Sequence, residues 1–307
     1  MTDIVPYSLP DIKDLLAGRL AASTIAIYRL DIGQYQEFCA AHDLAQFDPQ
    51  SFVAWRDHLV VNTELSPNTI NRMLAAIRRT IKEAASRHMI TSGVAYDFSV
   101  VESVSVRALR GRLKKHSKTR IMPAQMRALC DSPNTSTLVG LRDRAMLHTL
   151  ASSGLRISEL VSLTSSQIDQ QGDFFTMRIT GKTDIEARAA PLSVEAKQHI
   201  DAWIKRRAVA SDYVFTSFEG RGQGQHEYNR LTPLPMSDVS AWRIVTGYAQ
   251  QCGLEYIKPH DFRRFVATEL SAKNVIDAQR ALGHKNLNTT QRYVLSGLKP
   301  GLTDNLY

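Results

Sequence analysis

The sequence predicts a mainly α-helical protein with a small β-sheet, arranged as two domains. Three observations carry this. Apolar residues recur at spacings of three and four through most of the 307-residue chain, the period of a helix packed on one side. Only DFFTMRIT and ARAAPL, on either side of GKTDIE, read as a pair of short strands. A run of cations, RALRGRLKKHSKTR at 107–120, separates a helical first third from the remainder. The expected domains are 1–106, helical, and 121–307, α+β, joined by the basic linker 107–120.

In the first third, Ser23 is placed to cap a helix carrying Ile25, Tyr28, Ile32, Tyr35 and Cys39 along one stripe. Phe52, Trp55 and Leu59 repeat the spacing. Ser66 followed by Pro67 marks a third helix start, with Ile70, Ile77, Ile81 and Ala84 on its apolar side. Arg72, Arg78, Arg79 and Lys82 fall elsewhere around that helix. They form either a solvated face or a surface for DNA phosphates. Beyond the linker, LRDRAMLHTLASSG predicts a helix ending near Gly154, and RISELVSL a short one. Ser193 is a plausible cap for SVEAKQHIDAWIKRR. The segment 218–235, rich in Gly, Gln and Pro, is expected as a loop. Helices are expected again at 237–252, 260–273 and 275–282.

Composition, 43% hydrophobic and 22% charged, is that of a globular protein, without an apolar run long enough for a bilayer or a secretory signal. Cys39, Cys130 and Cys252 stand in no metal-ligand spacing and fit a reducing cytosol. A cytoplasmic protein with no cofactor and no metal is therefore expected. Net charge is −3 over residues 1–106, +7 over 107–120 and +4 over 121–307. Half of the 107–120 stretch is cationic and none of it acidic, which points to nucleic acid. Arg110, Arg112, Lys114 and Lys115, with Arg78 and Lys82, are the candidate DNA contacts.

Four segments carry chemistry: SGLRISEL (153–160), ITGKTD (179–184), PHDFRRFVATEL (259–270) and LGHKNLNTTQRYV (282–294). Arg156 and Arg263 sit in apolar surroundings, where an unpaired arginine is costly, and two guanidiniums suit the equatorial oxygens of a phosphodiester. Lys182, in a hairpin turn, can reach a leaving oxygen as general acid. His260 lies one helical turn before Arg263 and on its face; it can accept a proton or hold phosphate. His284 follows Gly283 at an element boundary and can donate to a phosphate oxygen. Glu159, three residues after Arg156, is placed to orient Arg156 or His260. Tyr293 is a phenol that needs nearby cations or a base to become a nucleophile. The sequence contains no P-loop and no acidic cluster suited to two-metal hydrolysis.

Together these segments resemble the tyrosine recombinase family, which includes phage integrases and the compact Xer and Cre-like enzymes. The match is to G-L-R-x-S-E-L at Arg156, the hairpin lysine after glycine at Lys182, H-x-x-R at His260 and Arg263, L-G-H at His284, and the tyrosine nine residues later at Tyr293. It departs where HDFRRF has Phe262 and Arg264 for the leucine and histidine of many relatives, and in the acidic turn KTDIEAR. The resemblance implies a helical core-binding domain followed by an α+β catalytic domain. It implies a site-specific DNA recombinase that cuts and rejoins strands through a 3′-phosphotyrosine, with integration, excision and dimer resolution all open. It further implies double-stranded DNA as partner, a homo-tetramer on two sites passing through a Holliday junction, and a tail, 295–307, docked on a neighbouring protomer. A type IB topoisomerase-like enzyme and a non-catalytic DNA-binding protein on the same fold are the alternatives.

Overall fold

The structure, a computed structural model, describes residues 12–113, 120–180, 187–219 and 230–283. Lys114, Lys115, Lys182, His284 and Tyr293 lie outside the described residues. The chain divides into two compact units, residues 1–115 and 116–307.

The first unit is helical: α1 (Ile12–Leu16), α2 (Ala22–Ala41), α3 (Pro49–Val61), α4 (Pro67–Ser86) and α5 (Ser92–Val100). In α2 the stripe Ile32, Tyr35, Cys39 is buried. The helix starts after Ala21, which offers no side-chain cap, so Ser23 lies inside the first turn rather than capping it. Asp48 and Ser66 do cap, accepting from the amides of Gln50 and Thr69, each with proline next in sequence. Ile70, Ile77, Ile81 and Ala84 are buried on α4. Aromatic rings fill the centre, with Tyr35 against Trp55 and Phe52 against Phe98, both pairs at 5.0 Å between centroids.

Two basic groups of this unit are tied into its own packing. Arg78 donates to the carbonyls of Phe98 and Val101 and to Ser103 Oγ, and lies 5.6 Å from the Phe52 ring centroid. It clamps α5 and the following segment onto α4. The described part of the basic linker is docked here as well. Leu109 packs on the apolar core, Arg110–Arg112 form a 3₁₀ turn, and Arg112 donates to the Val60 carbonyl at 2.7 Å.

The second unit opens with α6 (Pro123–Asp131), α7 (Leu138–Ser153) and α8 (Ile157–Val161). An antiparallel sheet follows, β1 (Ile168–Gln171), β2 (Phe174–Ile179) and β3 (Arg188–Leu192), with Ile179 opposite Arg188. The chain continues through α9 (Val194–Arg206), β4 (Thr216–Glu219), β5 (Arg230–Pro235), α10 (Asp238–Gln251), α11 (Pro259–Lys273) and α12 (Val275–Leu282). The hairpin pairing of β2 and β3 matches the sequence reading; β1 adds a third strand to it. Part of the expected 218–235 loop is strand, since Arg230–Pro235 pairs with Thr216–Glu219. Its prolines obscured the strand signal, yet a two-stranded sheet has only edges, and proline is tolerated there.

Helix α7 is the spine of this unit, packing on α6, α9, α11 and β3. Leu147 and Leu150 meet Trp203, Phe215 and Phe262 in one buried cluster, and the Trp203 indole N–H donates to the Val214 carbonyl at 2.8 Å. Ser193 caps α9 through the amide of Ala196. The spine stops at Gly154, whose φ of +64° closes the helix in the left-handed region. A Cβ there would lie 2.7 Å from Leu282 Cδ2 and 3.1 Å from Val266 Cβ, so glycine is required by both conformation and space. Gly154→Ala should therefore destabilise the protein by about 1–3 kcal/mol, the usual cost of left-handed backbone strain. Urea unfolding measures this, and an unchanged midpoint would show that the close approach of α7, α11 and α12 is not as described.

Candidate active site

Arg156 stands at the start of α8, with extended backbone before the helix begins. Glu159, three residues on, reaches back: its Oε2 accepts from the Arg156 amide at 2.8 Å and its Oε1 from the Arg156 guanidinium at 2.8 Å. This is half of a capping box, and it fixes where the Arg156 side chain starts. The Arg156 side chain stays 49% exposed, available to a ligand, while the Glu159 side chain is 5% exposed. Burial pushes the Glu159 carboxyl up. The Arg156 amide and the guanidiniums of Arg188 and Arg156 outweigh that and hold it below its ordinary value.

His260 and Arg263 share one face of the first turns of α11. Pro259 begins the helix, and Asp261 accepts from the Lys258 amide at 2.9 Å, securing the helix start. Arg263 is only 2% exposed. Its Nη1 donates to the Gly154 carbonyl at 2.9 Å and its Nη2 to the Leu282 carbonyl. Both acceptors lie at helix C-termini, where carbonyls have run out of helical partners and carry partial negative charge.

The three residues meet around one pocket of about 330 Å³, lined by Arg156, Arg263, His260, Lys258 and Trp242 together with Leu155, Ile157 and Pro259. Among the described residues, no acidic side chain lines it. The first turn of α11 adds the positive end of its helix dipole. Such a pocket is suited to a phosphate, with forked donors on two sides and an imidazole beside them. Sequence reasoning placed Arg156, His260 and Arg263 here and missed Trp242 and Lys258. It also missed Arg188, which donates to Glu159 from behind, at 2.9 and 3.3 Å. The remaining expected site residues, Lys182, His284 and Tyr293, fall outside the described residues.

Among the described residues, one group has a donor set for a metal ion: Asp131, His148 and His199, whose ligand atoms lie within 4.8 Å of one another. His148 already shares a 3.1 Å hydrogen bond with Asp131, and the charges of Arg127 and Arg144 act on these histidines. Both features work against a cation there. In the first unit, Arg79, Lys82, Tyr96 and Ser99 line a second, basic pocket of about 460 Å³. Arg78 also borders it, but its donors are committed to α5 and the segment after it. Arg110 is exposed, whereas Arg112 is half-buried and turned to Val60. Among the described residues, no helix is long and apolar enough to cross a membrane.

Desolvation by the pocket wall pulls the His260 pKa below its ordinary value, and the cations Arg264, Arg263 and Arg156 pull the same way, against Asp261. The ring is thus neutral at neutral pH and able to accept a proton. Titration of the His260 ring by NMR should give a midpoint below that of an exposed histidine, and Arg264→Gln should raise it. A midpoint at or above the ordinary value would contradict the electrostatics of the pocket.

The model of the phage integrase family matches residues 119–297, and that of the phage integrase N-terminal SAM-like domain matches residues 13–88. The chain is 32% identical over 286 residues to tyrosine recombinase XerD of Vibrio vulnificus, covering 89% of this chain and 85% of that one. It is 28% identical over 286 residues to tyrosine recombinase XerC of Myxococcus xanthus, covering 88% and 86%. Solved structures share the fold. A lambda integrase tetramer bound to a Holliday junction superposes with a TM-score of 0.67 at 15% identity, over 92% of this chain and 75% of that one. The XerH site-specific recombinase bound to palindromic difH substrate gives 0.64 at 20% identity, over 88% and 75%. By the family model spanning its second unit and its likeness to XerD along most of its length, the chain belongs to the phage integrase family.

Proposed function

We propose that this site-specific tyrosine recombinase cuts and rejoins DNA with the scissile phosphate seated in the pocket of Arg156, His260 and Arg263. The observation that carries the reading is the convergence of these three residues on one pocket. Each arginine supplies hydrogen-bond donors to an oxygen that gains negative charge as phosphorus becomes five-coordinate. A preorganised donor of this kind is worth roughly 10²–10³ in rate.

The Tyr293 oxygen attacks phosphorus and its proton passes to the neutral His260 ring. The bond from phosphorus to the 5′ oxygen breaks, and Lys182 protonates that oxygen as it leaves. The product is a 3′-phosphotyrosine and a free 5′ hydroxyl. Attack by a 5′ hydroxyl from a second strand reverses the step and reseals the DNA without an outside energy source. His284 adds a donor to the phosphate. Exposed Lys82 and Arg110, with Lys114 and Lys115, contact the backbone of the duplex, and the two units act as core-binding and catalytic domains joined through 107–120. The recombining assembly is a tetramer on two sites, in the cytoplasm; the lambda integrase tetramer bound to a Holliday junction supports the four-subunit state.

Because the positive charge at the phosphate comes from side chains, cleavage of a suicide duplex should persist in excess EDTA. The duplex is found by covalent trapping on DNA flanking the gene. Two matching sites should yield exchanged products through a junction intermediate. Loss of cleavage in EDTA with recovery in magnesium would overturn the mechanism. Rapid relaxation of arbitrary supercoiled plasmids without exchange would mark a topoisomerase instead.

A further inference from the structure

We propose that Arg188 is a positioning residue of this site, the counter-charge that lets Glu159 orient Arg156 without neutralising it. The inference rests on the phosphate-pocket reading above.

The Glu159 carboxylate is buried and accepts from two arginines at once. Arg156 donates its amide and one guanidinium nitrogen, both at 2.8 Å. Arg188 places its fork on the same two oxygens, Nη2 on Oε2 at 2.9 Å and Nη1 on Oε1 at 3.3 Å. One carboxylate between two guanidiniums leaves a net positive charge. The 12%-exposed Arg188 side chain is held inside, while that of Arg156 is 49% exposed, so the surplus charge is presented where the ligand arrives. Without Arg188, Glu159 and Arg156 would form a neutral pair, and the phosphate would compete with a buried carboxylate for Arg156.

Arg188 also has a mechanical connection. Its Nε donates to the Ala281 carbonyl at 3.3 Å, near the end of α12. Its Cδ passes so close to Gly283, whose φ is +64°, that a Cβ there would lie 2.4 Å away. Strand β3, which Arg188 opens, packs on α12. One side chain therefore joins three parts of the sequence: the strand that follows the segment carrying Lys182, the glutamate that holds Arg156, and the residue just before His284.

The test is suicide-substrate cleavage by full-length wild type and by Arg188→Met, Arg188→Lys and the double variant Arg188→Met/Glu159→Gln. Thermal melts check folding, and gel shifts check DNA affinity. Arg188→Met should cut on the order of 10- to 100-fold more slowly while binding DNA as wild type does. Adding Glu159→Gln removes the unbalanced carboxylate and should recover about 10-fold or more of that loss, a rescue that a purely structural role would not give. Arg188→Lys keeps the charge and should fall between wild type and Arg188→Met. If Arg188→Met folds poorly, the comparison of Arg188→Lys with the double variant still decides, because both preserve the charge balance and should cleave. Wild-type cleavage together with equal rates for Arg188→Met, or with no rescue in the double variant, would overturn the proposal. Failure of wild type to cleave would instead strike at the proposed function.

Discussion

A guanidinium that is almost wholly buried has to find acceptors inside the protein, and Arg263 finds two at the ends of helices. The carbonyls of Gly154 and Leu282 lie where α7 and α12 stop, each helix closed by a glycine with left-handed φ. Bringing two such ends to one arginine joins the spine of the second unit to the helix that leads toward Tyr293. The two carbonyls engage the guanidinium with their dipoles, holding the side chain while leaving much of its positive potential in place.

At Arg156 the acidic partner, Glu159, is shared with Arg188, and among the described residues no acid lines the pocket itself. Burial lowers the His260 pKa first, and Arg264, Arg263 and Arg156 add to it by disfavouring a further positive charge. The cations that attract an anion thus also favour the neutral imidazole. Packing sets the distances: Val266 and Leu282 press on Gly154, and Arg188 presses on Gly283, with no room for a Cβ at either glycine.

Much of this was legible in the sequence where the determinants are local. Arg156 with Glu159, and His260 with Arg263, are each one helical turn apart, so their sharing of a face follows from spacing alone. Helix starts at Ser66 and Ser193 followed from residue type, whereas Ser23 failed because α2 begins two residues earlier without a side-chain cap. Arg188 was hidden for a different reason: its partner Glu159 is 29 positions away, and only the fold brings them together. Arg78 read as a surface cation, yet Phe98, Val101 and Ser103 engage its guanidinium, and nothing local to α4 announces those acceptors. Strand β5 has the composition of a loop because its prolines suppress the strand signal, and only pairing with β4 reveals it.

If the pocket serves one tyrosine, trapping the protein on a suicide duplex, digesting the denaturant-resistant adduct and locating the nucleotide by mass spectrometry should find it 3′-linked to Tyr293. Tyr293→Phe should give no adduct while still shifting DNA in a gel. A nucleotide on another tyrosine, on a serine or on no residue at all would contradict this assignment.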